Sequence, residues 1–128
     1  MQKIIIITGK ANSGKTQQAK ALASVFKDEE VVFINMCGKE SKENPYLFNY
    51  CRMFTKMVVL DEIPSLNYLK KIISNSWSVV HVNPRGEIPF QIDPVLVFVC
   101  HESITEENLV PDIFIRKIPS RVVVLKCN

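Results

Sequence analysis

The chain has no cysteine pair at metal-binding or disulfide spacing. Its four cysteines, Cys37, Cys51, Cys100 and Cys127, lie far apart, with no CxxC and no histidine at zinc-finger distance. They read as reduced thiols, at least two of them in the core. A long apolar leader is also missing: the four isoleucines between Lys3 and Thr8 are too few for a signal peptide or a membrane span. The expectation is a cytoplasmic protein, working in its own cell or in a host, with no membrane partner. Strong charge of one sign is absent too, and a net charge of +3 permits nucleic acid as a partner without arguing for it. There is no internal repeat, low-complexity tract or linker. The 128 residues therefore read as one domain, 1–128, with room for a single core.

Several segments are strongly patterned. Ile4 to Ile7 is a continuous β-branched run, which suits a central parallel strand buried on both faces. Ala19, Leu22, Ala23 and Phe26 recur at helical spacing, predicting a helix from Lys15 to about Lys27 with one apolar stripe. Val31 to Ile34 reads as a second strand and Met36 to Asn44 as a loop. Pro45 opens a helix on which Leu47, Phe48, Cys51 and Phe54 share a face. Met57 to Leu60 predicts a third strand ending at Asp61-Glu62, and Ser65 caps a helix carrying Leu66, Leu69, Ile72 and Ile73.

Next, Ser78 to Val82 and Ile88 to Ile92 have strand character. They flank Asn83-Pro84-Arg85-Gly86-Glu87, whose turn chemistry suits a hairpin with a longer loop. Val95 to Val99 and Arg121 to Leu125 complete five core strands, with a weakly helical Thr105 to Arg116 between them, interrupted by Pro111. Strands alternating with helices predict an α/β fold: a mostly parallel five-stranded sheet flanked by helices, with a β-hairpin inserted before the fourth core strand. Such sheets bind ligands beyond the carboxyl ends of their strands. Thr8-Gly9, Asp61-Glu62 and His101-Glu102 all fall there.

Gly9 to Thr16 reads GKANSGKT, a full match to G-x-x-x-x-G-K-[ST] between a predicted strand and a predicted helix. The glycines allow backbone conformations in which successive N–H groups point inward at phosphate oxygens. The helix that begins there adds the positive end of its dipole. The match predicts a single P-loop NTPase domain whose cofactors are ATP and Mg²⁺. The cradle would be Gly9, Lys10, Ala11, Asn12, Ser13, Gly14, Lys15, Thr16 and Gln17. Lys15 would reach the β- and γ-phosphates, and the Thr16 hydroxyl would ligate the metal. No motif reads adenine, so ATP and GTP both fit the cradle.

Met57 to Glu62 reads MVVLDE, a buried strand that delivers two carboxylates to the same edge of the sheet. Asp61 would hold Mg²⁺ through its water shell, and Glu62 would polarise the attacking water as a general base. A glutamate directly after the metal-binding aspartate favours hydrolysis over transfer to another acceptor.

The order GKANSGKTQQAKALA, VVLDE, VVHVNPRGE and PVLVFVCHES resembles motifs A, B, B′ and C of the superfamily-three helicases. These are the AAA+-related ATPases of small DNA virus and plasmid replication initiators. The first motif resembles the parvovirus and circular single-stranded-DNA-virus versions. The resemblance spans nearly the whole chain, though only the first motif is individually specific. It implies a homo-oligomer, a hexameric ring, acting on single-stranded DNA or within a larger replication complex. It further implies that Asn83 to Glu87 form a hairpin tip in the central pore, with Arg85 as the phosphate contact and Asn83 beside it. Arg121 or Arg116 matches the family's late arginine, which acts in trans on a neighbour's γ-phosphate.

Two features depart from the pattern. His101 stands where the family usually has an asparagine that orients the lytic water. The chain also starts at the first strand, so either partners would supply an upstream origin-binding domain and oligomerisation segment, or the module has lost the helicase role. Three activities remain in view. One is a helicase-type ATPase; another is a nucleoside kinase-like phosphotransferase, for which four arginines leave little material for a lid. The third is a nucleotide-dependent binding module with little hydrolysis.

Overall fold

The computed structural model describes residues 3–36, 54–70, 81–83, 86–88, 94–109 and 122–127. Among these, seven strands follow in chain order: β1 (Ile4–Gly9), β2 (Val31–Asn35), β3 (Met57–Ile63), β4 (His81–Asn83), β5 (Gly86–Ile88), β6 (Val95–Cys100) and β7 (Val122–Cys127). Helical segments are α1 (Lys15–Ala23), α2 (66–70) and α3 (Glu106–Leu109), with one 3₁₀ turn at Asp28–Glu30.

Five strands make one sheet in the order β2-β3-β6-β1-β7, and all four pairings are parallel. The sheet expected to be mostly parallel is wholly so. The three middle strands, β3, β6 and β1, carry continuous apolar runs, since a strand covered on both faces has no polar side to alternate with; β2 (VVFIN) and β7 (VVVLKC) also carry apolar runs but stand at the edges. The edge strands β2 and β7 are only partly covered, and Phe33 and Val123 are exposed on them.

Alternate residues of each strand feed two cores, one per face. Ile7, Val59, Val97 and Val99 meet Ala19 and Ala23 of α1 on one face. Ile4, Ile6, Val58, Leu60, Leu96 and Phe98 meet Leu69 of α2 and Leu109 of α3 on the other. Each fully buried side chain of this kind contributes roughly 1.5–3 kcal/mol, so the three middle strands carry most of the fold's apolar stabilisation.

Local chemistry sets the element ends. The first helix stops at Ala23, short of the expected Lys27, because the Ser24 hydroxyl donates to the Ala21 carbonyl at 2.6 Å and competes with the helical ladder. A further turn, with Phe26 N–H donating to Ala23 carbonyl, still brings Phe26 onto the core. The expected cap at Ser65 is present, its Oγ accepting from Tyr68 N–H at 3.2 Å.

The hairpin before the fourth core strand is present as an antiparallel β4-β5 pair, but its ladder reaches closer to the tip than expected. Asn83 pairs with Gly86 and Val82 with Glu87, so only 84–85 connect the strands and the five-residue loop is corrected to two. The expected helix after Pro45, and the late helix beyond Leu109, lie outside the described residues.

Phe98 is fully buried at the centre of the middle strand. Phe98→Ala is expected to lower unfolding free energy by about 3–5 kcal/mol. Val25→Ser, at a site 78% exposed, should stay within about 0.5 kcal/mol of the parent. Urea denaturation of both variants checks the pair.

Candidate functional site

The carboxyl ends of β1, β3 and β6 open onto a cleft of about 640 Å³. Its lining brings together Ala11 to Gln17, Asp61, Glu62 and His101, with Glu102, Pro64 and Cys100. Strand β6 lies between β1 and β3, so the glycine loop and the acidic pair stand two strand spacings apart, roughly 10 Å. His101 follows the strand between them.

The loop leaving β1 needs its glycines for different reasons. A Cβ on Gly9, whose φ is 149°, would lie 2.4 Å from the Cys127 carbonyl oxygen and 2.7 Å from Ser13 Oγ. Gly14 caps α1 at φ 91° and ψ 19°, a left-handed conformation, with nothing within 4 Å of its missing side chain. Asn12 is left-handed as well, at φ 61°. Alternating hands turn consecutive N–H groups into one concavity, a shape that holds anions.

The first turn of α1 has no side-chain cap and no acidic residue, so its free N–H groups keep their positive end open to the cleft. The Glu102 carboxylate already accepts from Ala11 N–H at 3.3 Å, so an anionic oxygen does sit on this loop. Ser13 Oγ is buried without a protein partner, a donor that a further anionic oxygen would satisfy. Lys15 folds over the loop and donates to the carbonyls of Gly9 at 2.6 Å and Lys10 at 2.9 Å. An ammonium has three N–H donors, which leaves one for the cleft.

On the acidic side, β3 does something an ideal strand would not. Leu60 pairs with Phe98 and Ile63 with Cys100, so β3 carries one residue more than β6 over this stretch. The extra residue is Glu62, left-handed at φ 60°. Such a conformation is unfavourable for a residue with a Cβ and persists only where the surrounding pairing enforces it. The bulge lets Ile63 recover the buried face of Leu60, while Asp61 keeps the α1-facing parity of Met57 and Val59. Consecutive carboxylates, which a regular strand would send to opposite faces, both line the cleft.

Asp61 is reached from α1. The Thr16 hydroxyl donates to its two carboxylate oxygens at 3.2 and 3.3 Å, and Glu62 N–H donates to one of them at 2.9 Å. A hydroxyl beside a carboxylate is a hard oxygen pair suited to Mg²⁺, an ion that fills its remaining positions with water or phosphate oxygens. This donor set therefore fits the metal expected from the sequence. No group of three or more His, Cys, Asp and Glu side chains converges among the described residues. A dedicated all-protein cage is not what these residues build.

Cys100 also lines the cleft, but burial pushes its thiol up to about 12 despite the nearby Lys15 charge. It is no thiolate at neutral pH and no nucleophile.

Of the residues singled out from sequence, Lys15, Thr16, Asp61, Glu62 and His101 converge here. Gly9 and Lys10 contribute the carbonyls that hold Lys15. Asn83 belongs instead to the separate two-stranded sheet, while Arg85, Arg116 and Arg121 lie outside the described residues. Sequence reasoning placed Glu102 at this edge but missed its contact with the Ala11 amide, and it missed Ser103, which contacts His101. The only signal for either contact was position, directly after the buried run of β6.

No protein-family profile matches the chain, and no curated protein matches it. A solved structure described as the A form apo structure of the NrS-1 C terminal region superposes with a TM-score of 0.55 at 19% sequence identity. The superposition covers 98% of this chain and 29% of that one, so this chain spans under a third of its neighbour's length. The likeness is one of fold. No helix among the described residues is long and apolar enough to cross a membrane.

Gly9→Ala is expected to cost about 2 kcal/mol or more, because the new Cβ meets backbone of β7. Gly14→Ala, with open space around it, should cost only the left-handed penalty of about 1–2 kcal/mol. Urea melts of the two variants decide whether the loop is tied to the sheet at Gly9.

Proposed function

We propose that this domain binds a nucleoside triphosphate with Mg²⁺ in the Gly9–Thr16 loop and hydrolyses it, as an ATPase of the superfamily-three type acting on DNA or a replication complex. The observation that carries the proposal is the direct contact of Thr16 with Asp61 at the end of the glycine loop. Two segments far apart in sequence supply the two halves of a metal–phosphate site.

Each residue then has a task its position allows. The amides of Ala11 to Thr16 cradle phosphate oxygens, Lys15 adds a point charge, and Thr16 with Asp61 holds the metal. When bound, Mg²⁺ neutralises charge on the phosphates. Glu62, exposed at the bulge, orients and deprotonates the attacking water; its carboxylate is free of the strand's side-to-side alternation because of that bulge. Glu102 must leave the Ala11 amide to make room for the triphosphate.

The DNA part of the proposal rests on the order of the four motifs and on the β4-β5 hairpin standing between β3 and β6. In that account Arg85 at the tip contacts the DNA backbone, and Arg116 or Arg121 serves a neighbouring copy in a ring. A second reading, nucleotide binding with slow turnover, is favoured by His101 in place of the family's asparagine.

Nucleotide binding by calorimetry and phosphate release with and without single-stranded DNA test these statements together. Lys15→Ala should weaken triphosphate binding at least about tenfold. Glu62→Gln should bind as the parent does and lose roughly 10²–10⁴-fold in turnover. DNA should accelerate the parent. Turnover indifferent to both substitutions would rule the hydrolase out, and tight binding with negligible turnover in the parent would select the second reading.

A further inference from the structure

His101 makes two contacts that neither phosphate binding nor water activation uses. Its Nδ1 lies 3.1 Å from the backbone nitrogen of Ser103 and 2.9 Å from Ser103 Oγ. A backbone N–H can only donate, so Nδ1 is the acceptor and the ring proton resides on Nε2. The turn behind the ring is anchored: Ile104 N–H donates to the His101 carbonyl at 2.9 Å, and Ile104 is buried in the same core cluster as Leu109. His101 N–H in turn donates to the Ile63 carbonyl at 2.8 Å, which ties the residue to the end of β3. The backbone of His101 is thus tied to the core on both sides, while its side chain lines the cleft and is exposed.

We propose that Ser103 is a positioning residue that holds His101 as the Nε2–H tautomer, so that a fixed N–H donor lets the cleft distinguish a triphosphate from a diphosphate. The inference rests on the nucleotide reading above. The loop amides take the phosphates nearest α1. His101 follows β6, one strand along from β1, and lines the same cleft as the acidic pair; in this proposal it meets the phosphate that extends beyond the loop. A ring N–H donating to an anionic oxygen is a charge-assisted hydrogen bond, worth roughly tenfold or more in affinity.

The test uses the full chain labelled with ¹⁵N at its two histidines, with His101→Phe assigning the signals. At about pH 8, above the ordinary histidine range, the His101 spectrum should show a protonated Nε2 and an unprotonated Nδ1. Calorimetry with a non-hydrolysable ATP analogue and with ADP, both with Mg²⁺, then gives the triphosphate preference. His101→Phe should lower that preference about tenfold with ADP affinity unchanged, and His101→Asn, which restores an N–H donor, should recover it. Ser103→Pro, which removes the backbone donor, should mix the tautomers and lower the preference likewise. A proton on Nδ1 in the parent, or an unchanged preference in His101→Phe with both nucleotides bound, would overturn the inference while leaving the nucleotide reading intact. Failure of the parent to bind either nucleotide would overturn both.

Discussion

The contact between the Thr16 hydroxyl and the Asp61 carboxylate joins the first turn of α1 to the end of β3, with β6 and its own terminal residues lying between. Most other features of the cleft serve to make that contact possible. Gly9 lets the chain pass close against β7 and Ser13 as it leaves the sheet, and Gly14 reverses its hand so that α1 starts over the strand ends. Ala19 and Ala23, small side chains on the buried face of α1, let the helix sit close to Val59 and Val97. Lengthening either side of this arrangement would separate the two oxygens. A hydroxyl and a carboxylate a little over 3 Å apart are then ready to share a hard cation between them.

The bulge at Glu62 solves a second geometric problem. A strand that buries both faces has nowhere to put two adjacent charged side chains, because one of them would enter the core opposite α1. An extra residue in a left-handed conformation spares Ile63 for that core and leaves both carboxylates at the cleft. The backbone cost is of order 1–3 kcal/mol, small beside the several kcal/mol that an unpaired charge would cost if buried. Strain of this kind concentrates where a fold must present a side chain that regular geometry would hide.

Much of this was legible in the residues. Ile4 to Ile7 read as a central strand, and Met57 to Leu60 and Val95 to Val99 as buried strands, and these are the three middle strands. The equally apolar Val31 to Ile34 and Val122 to Leu125 stand at the edges, a position their composition does not reveal. The Gly9–Thr16 pattern placed Lys15 and Thr16 at a strand–helix turn, and the acidic pair at a strand end placed Asp61 beside them. Other features were not legible, for identifiable reasons. Ser24 ends α1 through a local hydrogen bond that hydrophobic spacing does not register. The tight β4-β5 hairpin depends on pairing across Asn83 and Gly86, which turn composition alone had assigned to the loop. The bulge depends on the register of β6, which no local pattern contains. Glu102 and Ser103 acquire their contacts from tertiary placement and from a turn, and neither leaves a periodic trace.

The central claim is that one metal–phosphate site lies between Thr16 and Asp61. It is tested most directly by Mn²⁺, a hard cation with the same oxygen preference as Mg²⁺, as a paramagnetic probe of backbone amide signals. Adding Mn²⁺ with ATP should broaden Lys15, Thr16, Gln17, Asp61 and Glu62 first, with little broadening when the nucleotide is withheld. Broadening centred elsewhere, or equally strong without nucleotide, would contradict the account.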